Sequence, residues 1–251
     1  MIQTEAIVLH GFDYRETSRI VRLATRDAGV VSVIARGAKR PKSRFGLGLD
    51  LFTSGVAQLS INPSRDLHTL TSFDATRARP ALASSLQRFG AAAALSELCI
   101  RFASEDALGP LHDTLAHGLD ALVSVDEPSV PSQALAAAWR LVGELGFAPS
   151  LDACALCHRP IEAEETVPFA HRAGGAVCRS CELMAHAPRS LPPDARRTLM
   201  QWAGDPEAAS TAVLDEPSIR AHQRLLREFL EEHLGDGRPL RAWVAWEALG
   251  R

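Results

Sequence analysis

Four cysteines in two close pairs constrain this chain more than any other feature of its 251 residues. Two residues separate Cys154 from Cys157 and Cys178 from Cys181, and 20 residues lie between the pairs. Two intervening residues allow both sulfurs of a turn to reach one ion at about 2.3 Å, and two such turns complete a tetrahedron. The spacing therefore predicts a zinc ion bound by these four thiolates, in a zinc-binding segment over residues 151–188.

Other uses of these cysteines fit the sequence less well. A redox-active pair would lie beside a βαβ unit, and iron–sulfur proteins space their cysteines differently. Four thiolates leave no coordination position open for a catalytic water, so we expect the zinc to be structural. His158 and His171 are near enough in sequence to replace one cysteine as a ligand. Cys99 falls on an apolar helix and is expected in the core.

The amino terminus lacks the features of an export signal. Residues 1–10 contain no basic region followed by a long apolar stretch, and the longest apolar runs are too short to cross a membrane. Close cysteine pairs without an export signal favour a reducing compartment, where such pairs bind metal more often than they form disulfides. We therefore expect a cytoplasmic protein with no membrane partner.

Charge is unevenly distributed along the chain, whose formal net charge is −3. Residues 1–80 contain 12 Lys and Arg against 7 Asp and Glu, whereas the remaining 171 residues contain 15 against 23. A basic first part joined to an acidic second part is typical of two surfaces with different partners.

The secondary structure is predicted to change from strand to helix at Pro80. Five short strands are predicted before it, at residues 2–9, 18–25, 30–35, 51–61 and 68–73. Five strands in this length match an OB-fold β-barrel, although other small barrels, such as the SH3-like barrel, fit the pattern too. Helices are predicted after it, at residues 82–102, 111–123, 132–145, 192–202 and 217–235.

A basic loop follows the third predicted strand. Residues 36–44 contain five cations and no acid, and Arg15, Arg19, Arg22 and Arg26 add charge from the first turn and second strand. A short basic run alone is most often a solvated surface, but on the rim of an OB barrel it favours phosphate binding. Phe45 is positioned in sequence to stack on a base. The predicted DNA-binding residues are Arg15, Arg19, Arg22, Arg36, Lys39, Arg40, Lys42 and Arg44.

The amino-terminal sequence resembles that of a known family. The segments AIVLHGFDYRETSRIVRLAT over 6–25, GVVS over 29–32 and RGAKRPKS over 36–43 are similar to the DNA repair and recombination protein family RecO. RecO proteins have an OB-fold, a helical domain and, in many members, a four-cysteine zinc segment. Members often have a proline near residues 48–51, where this chain has Gly48, Leu49, Asp50 and Leu51.

The predicted fold class is therefore α+β and multidomain. An OB-fold DNA-binding domain is expected over 1–80 and a helical domain over 81–150 and 189–251, with the zinc-binding segment inserted at 151–188.

The resemblance implies a recombination mediator that is not an enzyme. RecO proteins bind single- and double-stranded DNA, anneal complementary strands and, with RecR, help to load the recombinase onto strands coated by single-strand-binding protein. The sequence also lacks a P-loop, a G-x-S-x-G and an H-E-x-x-H motif, so we expect no small-molecule substrate. Cytoplasmic, nucleoid-associated localisation follows from this role.

Two alternatives remain open at the level of sequence. One is an RNA-binding factor of translation or transcription that combines an OB-fold with a zinc ribbon. The other is a metal-dependent hydrolase, which would need an open coordination position or a carboxylate cluster.

Overall fold

The computed structural model describes residues 1–45, 48–103, 109–186, 188–204, 214–235 and 237–249. The chain divides into two compact units, Met1–Ser124 and Val125–Arg251. This boundary lies inside the region expected to be helical from residue 81. The four-part domain division at 80, 150 and 188 stays a prediction.

The first unit contains a closed five-stranded barrel. Its strands are β1 (Ile2–Tyr14), β2 (Ser18–Thr25), β3 (Gly29–Ala35), β4 (Ser54–Ser60) and β5 (Leu67–Arg77). They pair in the order β1-β2-β3-β5-β4, with β3 and β5 parallel and the other neighbours antiparallel. The structure therefore confirms the predicted OB-like barrel.

The barrel closes because β1 is long enough to pair on both sides. Residues 2–7 pair with β4, and residues 6–14 pair with β2 through a register shift between Val8 and His10. Alternate residues of each strand point inward, as expected from strand geometry. The interior is apolar, and Phe45 and Leu49 from the β3–β4 connection complete it at one end.

Two helices pack outside the barrel, against β1 and β2: α1 (Leu86–Phe102) and α2 (Gly109–Ser124). The Ser85 hydroxyl caps α1 by accepting from the backbone N–H of Arg88 at 3.0 Å. The Leu86 side chain, at the start of α1, is 74% exposed.

One buried arginine connects the end of β5 to the helices. The Arg79 guanidinium donates to the Asp120 carboxylate of α2 at 2.6 Å, to the Phe52 carbonyl at 2.6 Å and to the Ser54 hydroxyl at 2.9 Å. Its side chain is only 2% exposed. A charge this deeply buried requires such partners, because an unpaired one would cost several kcal/mol.

The second unit is built on helix α3 (Val130–Glu144), which is almost wholly buried. A three-stranded sheet follows, ordered β7-β6-β8 from β6 (Val167–Ala170), β7 (Gly175–Ala176) and β8 (Arg189–Leu191). Helices α4 (Pro193–Gly204), α5 (Glu216–Leu234) and α6 (Arg241–Ala248) complete it. The small sheet and α6 were not predicted from the sequence.

Aromatic side chains join α3, β6 and α5. The Phe229 ring of α5 lies 5.4 Å from the Trp139 ring of α3 and 6.0 Å from the Phe169 ring of β6, measured between centroids.

None of the described helices combines the length and the apolar character needed to cross a membrane.

Candidate nucleic-acid interface and metal centre

The four paired cysteines converge on one point. The sulfur atoms of Cys154, Cys157, Cys178 and Cys181 all lie within 4.8 Å of one another, and those of Cys157 and Cys178 are 3.7 Å apart. A tetrahedral zinc with bonds of about 2.3 Å places its sulfur ligands about 3.8 Å apart. The four sulfur atoms are therefore close enough together to hold one metal ion.

Backbone hydrogen bonds shape the two cysteine turns and join them. The His158 N–H donates to the Cys154 carbonyl at 2.8 Å, and the Cys181 N–H donates to the Cys178 carbonyl at 2.9 Å. The Ala155 N–H donates to the Ala176 carbonyl at 2.8 Å, which connects the first turn to the segment before the second. These bonds bring the two cysteine turns next to each other.

The environment affects two of the thiols in opposite directions. Burial by itself raises the pKa of Cys154, but backbone N–H groups of Cys178, Cys157 and Leu156 donate to its sulfur and lower that pKa to about 6. The pKa of Cys181 is raised to about 12, mainly by a hydrogen bond with the Cys178 thiol and secondly by burial. All four groups can be thiolates together only when a cation offsets their repulsion.

The histidines considered as replacement ligands lie outside this cluster. Among the described residues, the four cysteines form the only group of His, Cys, Asp and Glu with metal-binding geometry. The Nε2 atom of His171 lies 3.6 Å from the Glu228 carboxylate instead, and burial lowers the pKa of this histidine. Cys99 is fully buried in α1, as predicted, and burial raises its pKa to about 12.

The β3–β4 connection, residues 36–53, presents the predicted basic loop at one end of the barrel. Arg36, Arg40, Lys42 and Arg44 are exposed, and in the part of the chain that the structure describes none of them forms an ion pair with an acid. The loop is anchored by the Lys39 N–H, which donates to the Thr17 carbonyl at 3.0 Å. These four cations are therefore available to a polyanion.

Two other predicted DNA-binding residues already have an acidic partner. The carboxylate of Asp13 lies 2.7 Å from the Lys39 ammonium and 3.8 Å from the Arg19 guanidinium. The hydrogen bond from Lys39 holds the pKa of Asp13 below its ordinary value. Arg19 also donates to the Leu49 carbonyl at 3.3 Å. Lys39 and Arg19 therefore contribute to the structure of the loop as well as to its charge.

The remaining two predicted residues lie in different surroundings. Arg15 is exposed in the β1–β2 turn, which the Lys39–Thr17 bond connects to the basic loop, and its guanidinium lies 5.3 Å from the centroid of the Tyr14 ring. Arg22 donates to the Ile100 carbonyl of α1 at 3.3 Å, and burial lowers its pKa. Arg15 therefore lies in a turn that is bonded to the basic loop, whereas the Arg22 guanidinium contacts α1.

The prediction that Phe45 stacks on a base is wrong. This ring is only 3% exposed and belongs to the barrel core.

Two exposed residues near the basic loop or in the barrel loops were not predicted from the sequence. Phe12 on β1 is 48% exposed, and Arg65 is exposed in the β4–β5 loop. OB-folds bind oligonucleotides with their β1–β2 and β4–β5 loops, and this rule would have indicated Arg65 as a candidate. Phe12 was not a candidate because the first predicted strand ends at residue 9, before it.

Comparison with known proteins relates both units to one family. The family model "Recombination protein O N terminal" matches residues 1–79, and "Recombination protein O C terminal" matches residues 83–242. A "DNA repair protein RecO" from Anaeromyxobacter sp. (strain K) is 34% identical over 239 residues, covering 93% of this chain and 92% of the relative.

Two further relatives carry the same name. The protein from Rubrobacter xylanophilus is 33% identical over 229 residues, which cover 88% of this chain and 90% of the relative. The one from Heliobacterium modesticaldum is 28% identical and covers 100% of this chain and 91% of its own length.

Proposed function

The chain belongs to the RecO family of DNA repair proteins, and on that basis we propose that it binds single- and double-stranded DNA through its amino-terminal barrel. The observation that carries the proposal is the set of four exposed cations without acidic partners among the described residues: Arg36, Arg40, Lys42 and Arg44. Each cation that meets a phosphate releases a condensed counterion, and this release favours binding.

Strand annealing follows from the same surface without bond-making chemistry. Two complementary strands repel each other through their phosphates, and cations on a common protein surface reduce that repulsion. Base pairing then supplies the specificity. The protein acts here as a mediator and not as an enzyme.

The partners proposed for the protein are those implied by its family. RecR and single-strand-binding protein would act with it to load the recombinase onto coated strands. The net negative charge of the sequence after residue 80 supports a division in which the barrel meets DNA and the later part meets proteins.

Zinc is proposed as the structural ion of the cysteine cluster. Cys154, Cys157, Cys178 and Cys181 would hold it, and their short sulfur–sulfur distances support this assignment. The ion would neutralise the thiolates and stabilise the segment between α3 and β8.

The test of DNA binding is a salt series on a variant in which Arg36, Arg40, Lys42 and Arg44 are replaced by Ala. For single strands the logarithm of the binding constant falls with that of the salt concentration by ~0.7 per phosphate contact. We therefore expect weaker binding at low salt and a slope that is shallower by up to ~3.

The matched control exchanges Arg and Lys at the same four positions, which keeps every charge. We expect this variant to keep the slope of the wild-type protein. An alanine variant with unchanged affinity and slope would show that the loop does not contact DNA. Annealing of RNA strands in preference to DNA strands would instead favour an RNA-binding factor.

A further inference from the structure

The outer face of the barrel carries an exposed aromatic side chain next to the basic loop. Across β1, β2 and β3 the register aligns Phe12 with Ile20 and Ile20 with Ile34. The neighbouring residues Val21 and Val33 are fully buried in the barrel core. Because successive strand residues point to opposite faces, the row of Phe12, Ile20 and Ile34 faces outward.

The β1 end of this row is open to solvent. Two register positions further along, the row of His10 and Arg22 meets α1 only on the β2 side, where the Arg22 guanidinium donates to the Ile100 carbonyl. Phe12, in contrast, is 48% exposed. The ring of His10, also exposed, lies 6.1 Å from the Phe12 ring between centroids.

The charge around the row favours a polyanion. Neither β2 nor β3 contains an acidic residue, and Asp13 of β1, next to Phe12, is paired with Lys39 and Arg19. Arg36 is the first residue beyond β3 and follows Ile34 by two positions, so the exposed cations begin where the apolar row ends. OB-folds bind oligonucleotides on the face of their second and third strands, where aromatic side chains stack with bases.

We propose that Phe12 is a base-stacking residue for single-stranded DNA, with Ile20 and Ile34 forming the apolar floor beside it. This inference rests on the proposed DNA binding and adds a division of roles. The basic loop holds phosphates in either a single strand or a duplex. Phe12 contacts only bases whose faces are free, and a duplex buries those faces in its own stack.

The decisive variant is Phe12→Ala, tested with an oligothymidylate of ~16 nucleotides, the upper end of the site size of one OB-fold. Loss of one stacking partner should weaken binding about tenfold. The salt slope should stay that of the wild-type protein, because no phosphate contact is removed. Binding to a duplex of equal length should change little.

Two comparisons separate stacking from a general loss of structure. Phe12→Trp keeps an aromatic face and should restore binding, whereas Leu86→Ala removes an exposed apolar side chain from α1 and should have no effect. An abasic strand keeps the phosphates without the bases, so wild-type protein and Phe12→Ala should bind it equally.

The results distinguish this inference from the proposal on which it rests. If the wild-type protein binds no DNA at low salt, the proposed function itself fails. If the wild-type protein binds and Phe12→Ala binds the oligothymidylate equally well, stacking by Phe12 is refuted while the basic loop is unaffected. Equal losses on single strand and duplex would also refute it, since stacking cannot act on a closed duplex.

Discussion

His222 of α5 is a buried histidine with one unpaired ring nitrogen. Its side chain packs edge-on against Trp202 with centroids 4.8 Å apart, and its Nδ1 atom has no hydrogen-bond partner among the described residues. Burial lowers the pKa of this imidazole to about 4, so it stays neutral in the folded protein. An unfolded chain exposes it and restores the ordinary pKa of about 6.5.

This difference makes the stability of the protein depend on pH. As the pH falls below ~6.5 the unfolded state binds the proton first, so the free energy of unfolding decreases until the pH reaches ~4. Between pH ~7 and ~5 we expect His222 to account for a loss of about 2 kcal/mol. Urea unfolding of His222→Gln should show a flatter pH dependence than the wild-type protein, and parallel curves would contradict this.

Some residues of the candidate site could be predicted from the sequence, and others could not. The four cysteines were found because their ligand spacing is local and is written directly in the chain. Phe45 was misplaced because its burial depends on how the β3–β4 connection folds back over the barrel. Arg22 and Arg19 are cations in sequence, but the carbonyl oxygens they meet, Ile100 and Leu49, come from distant segments.

Among elements, the cysteine-bearing segment is the one that we expect to depend most on a bound ion. It lies between α3 and β8, and the described part of it has only short strands and 3₁₀ turns, so backbone pairing alone provides little stability. We expect Cys154→Ser to lose about one zinc per chain, with a clear decrease in melting temperature. Cys99→Ala, which removes a cysteine outside the cluster, should keep the metal.

Metal analysis of the purified proteins, together with thermal unfolding, measures both effects. Zinc content that is unchanged in Cys154→Ser would rule out this cysteine as a ligand. A wild-type protein that binds no zinc would rule out the site altogether.

The strands show which elements sequence patterns can define. The second strand was predicted at its observed bounds because alternation and turn residues agree there. The sequence pattern predicts a first strand that ends at residue 9, yet pairing with β2 extends β1 to Tyr14. Residues 51–53 were assigned to a strand that begins at Ser54, and Phe52 adopts a left-handed backbone with φ 65°.

For the whole molecule, the compact unit ending at Ser124 has a direct consequence. Beyond Pro80, α2 supplies Asp120 for Arg79 and Asp113 for Arg26 at 2.5 Å. A fragment of residues 1–80 contains all five barrel strands but lacks Asp120, the acidic partner of Arg79. A fragment of residues 1–124 contains the strands and Asp120. We expect the longer fragment to be the more stable, because α1 and α2 pack against β1 and β2 and α2 supplies both carboxylates.

Thermal unfolding and limited proteolysis of the two fragments test this expectation. Asp120→Asn in the longer fragment isolates the contribution of the carboxylate and should cost about 3 kcal/mol, because Arg79 stays buried without its charged partner. If residues 1–80 proved as stable as 1–124, the helices would not support the barrel. The boundary between the compact units, after Ser124, could not be predicted from composition. The sequence changes from strand to helix at Pro80, and that change lies inside the first unit.

The separation of 41 positions between Arg79 and Asp120 also bears on how the protein is made. Ribosomes add about 5–20 residues per second, so the barrel sequence is complete roughly 2–8 s before its carboxylate partner is synthesised. The buried contact between the Arg79 guanidinium and the Asp120 carboxylate cannot form during that interval. The first unit can therefore reach its complete structure only after Asp120 of α2 has been synthesised.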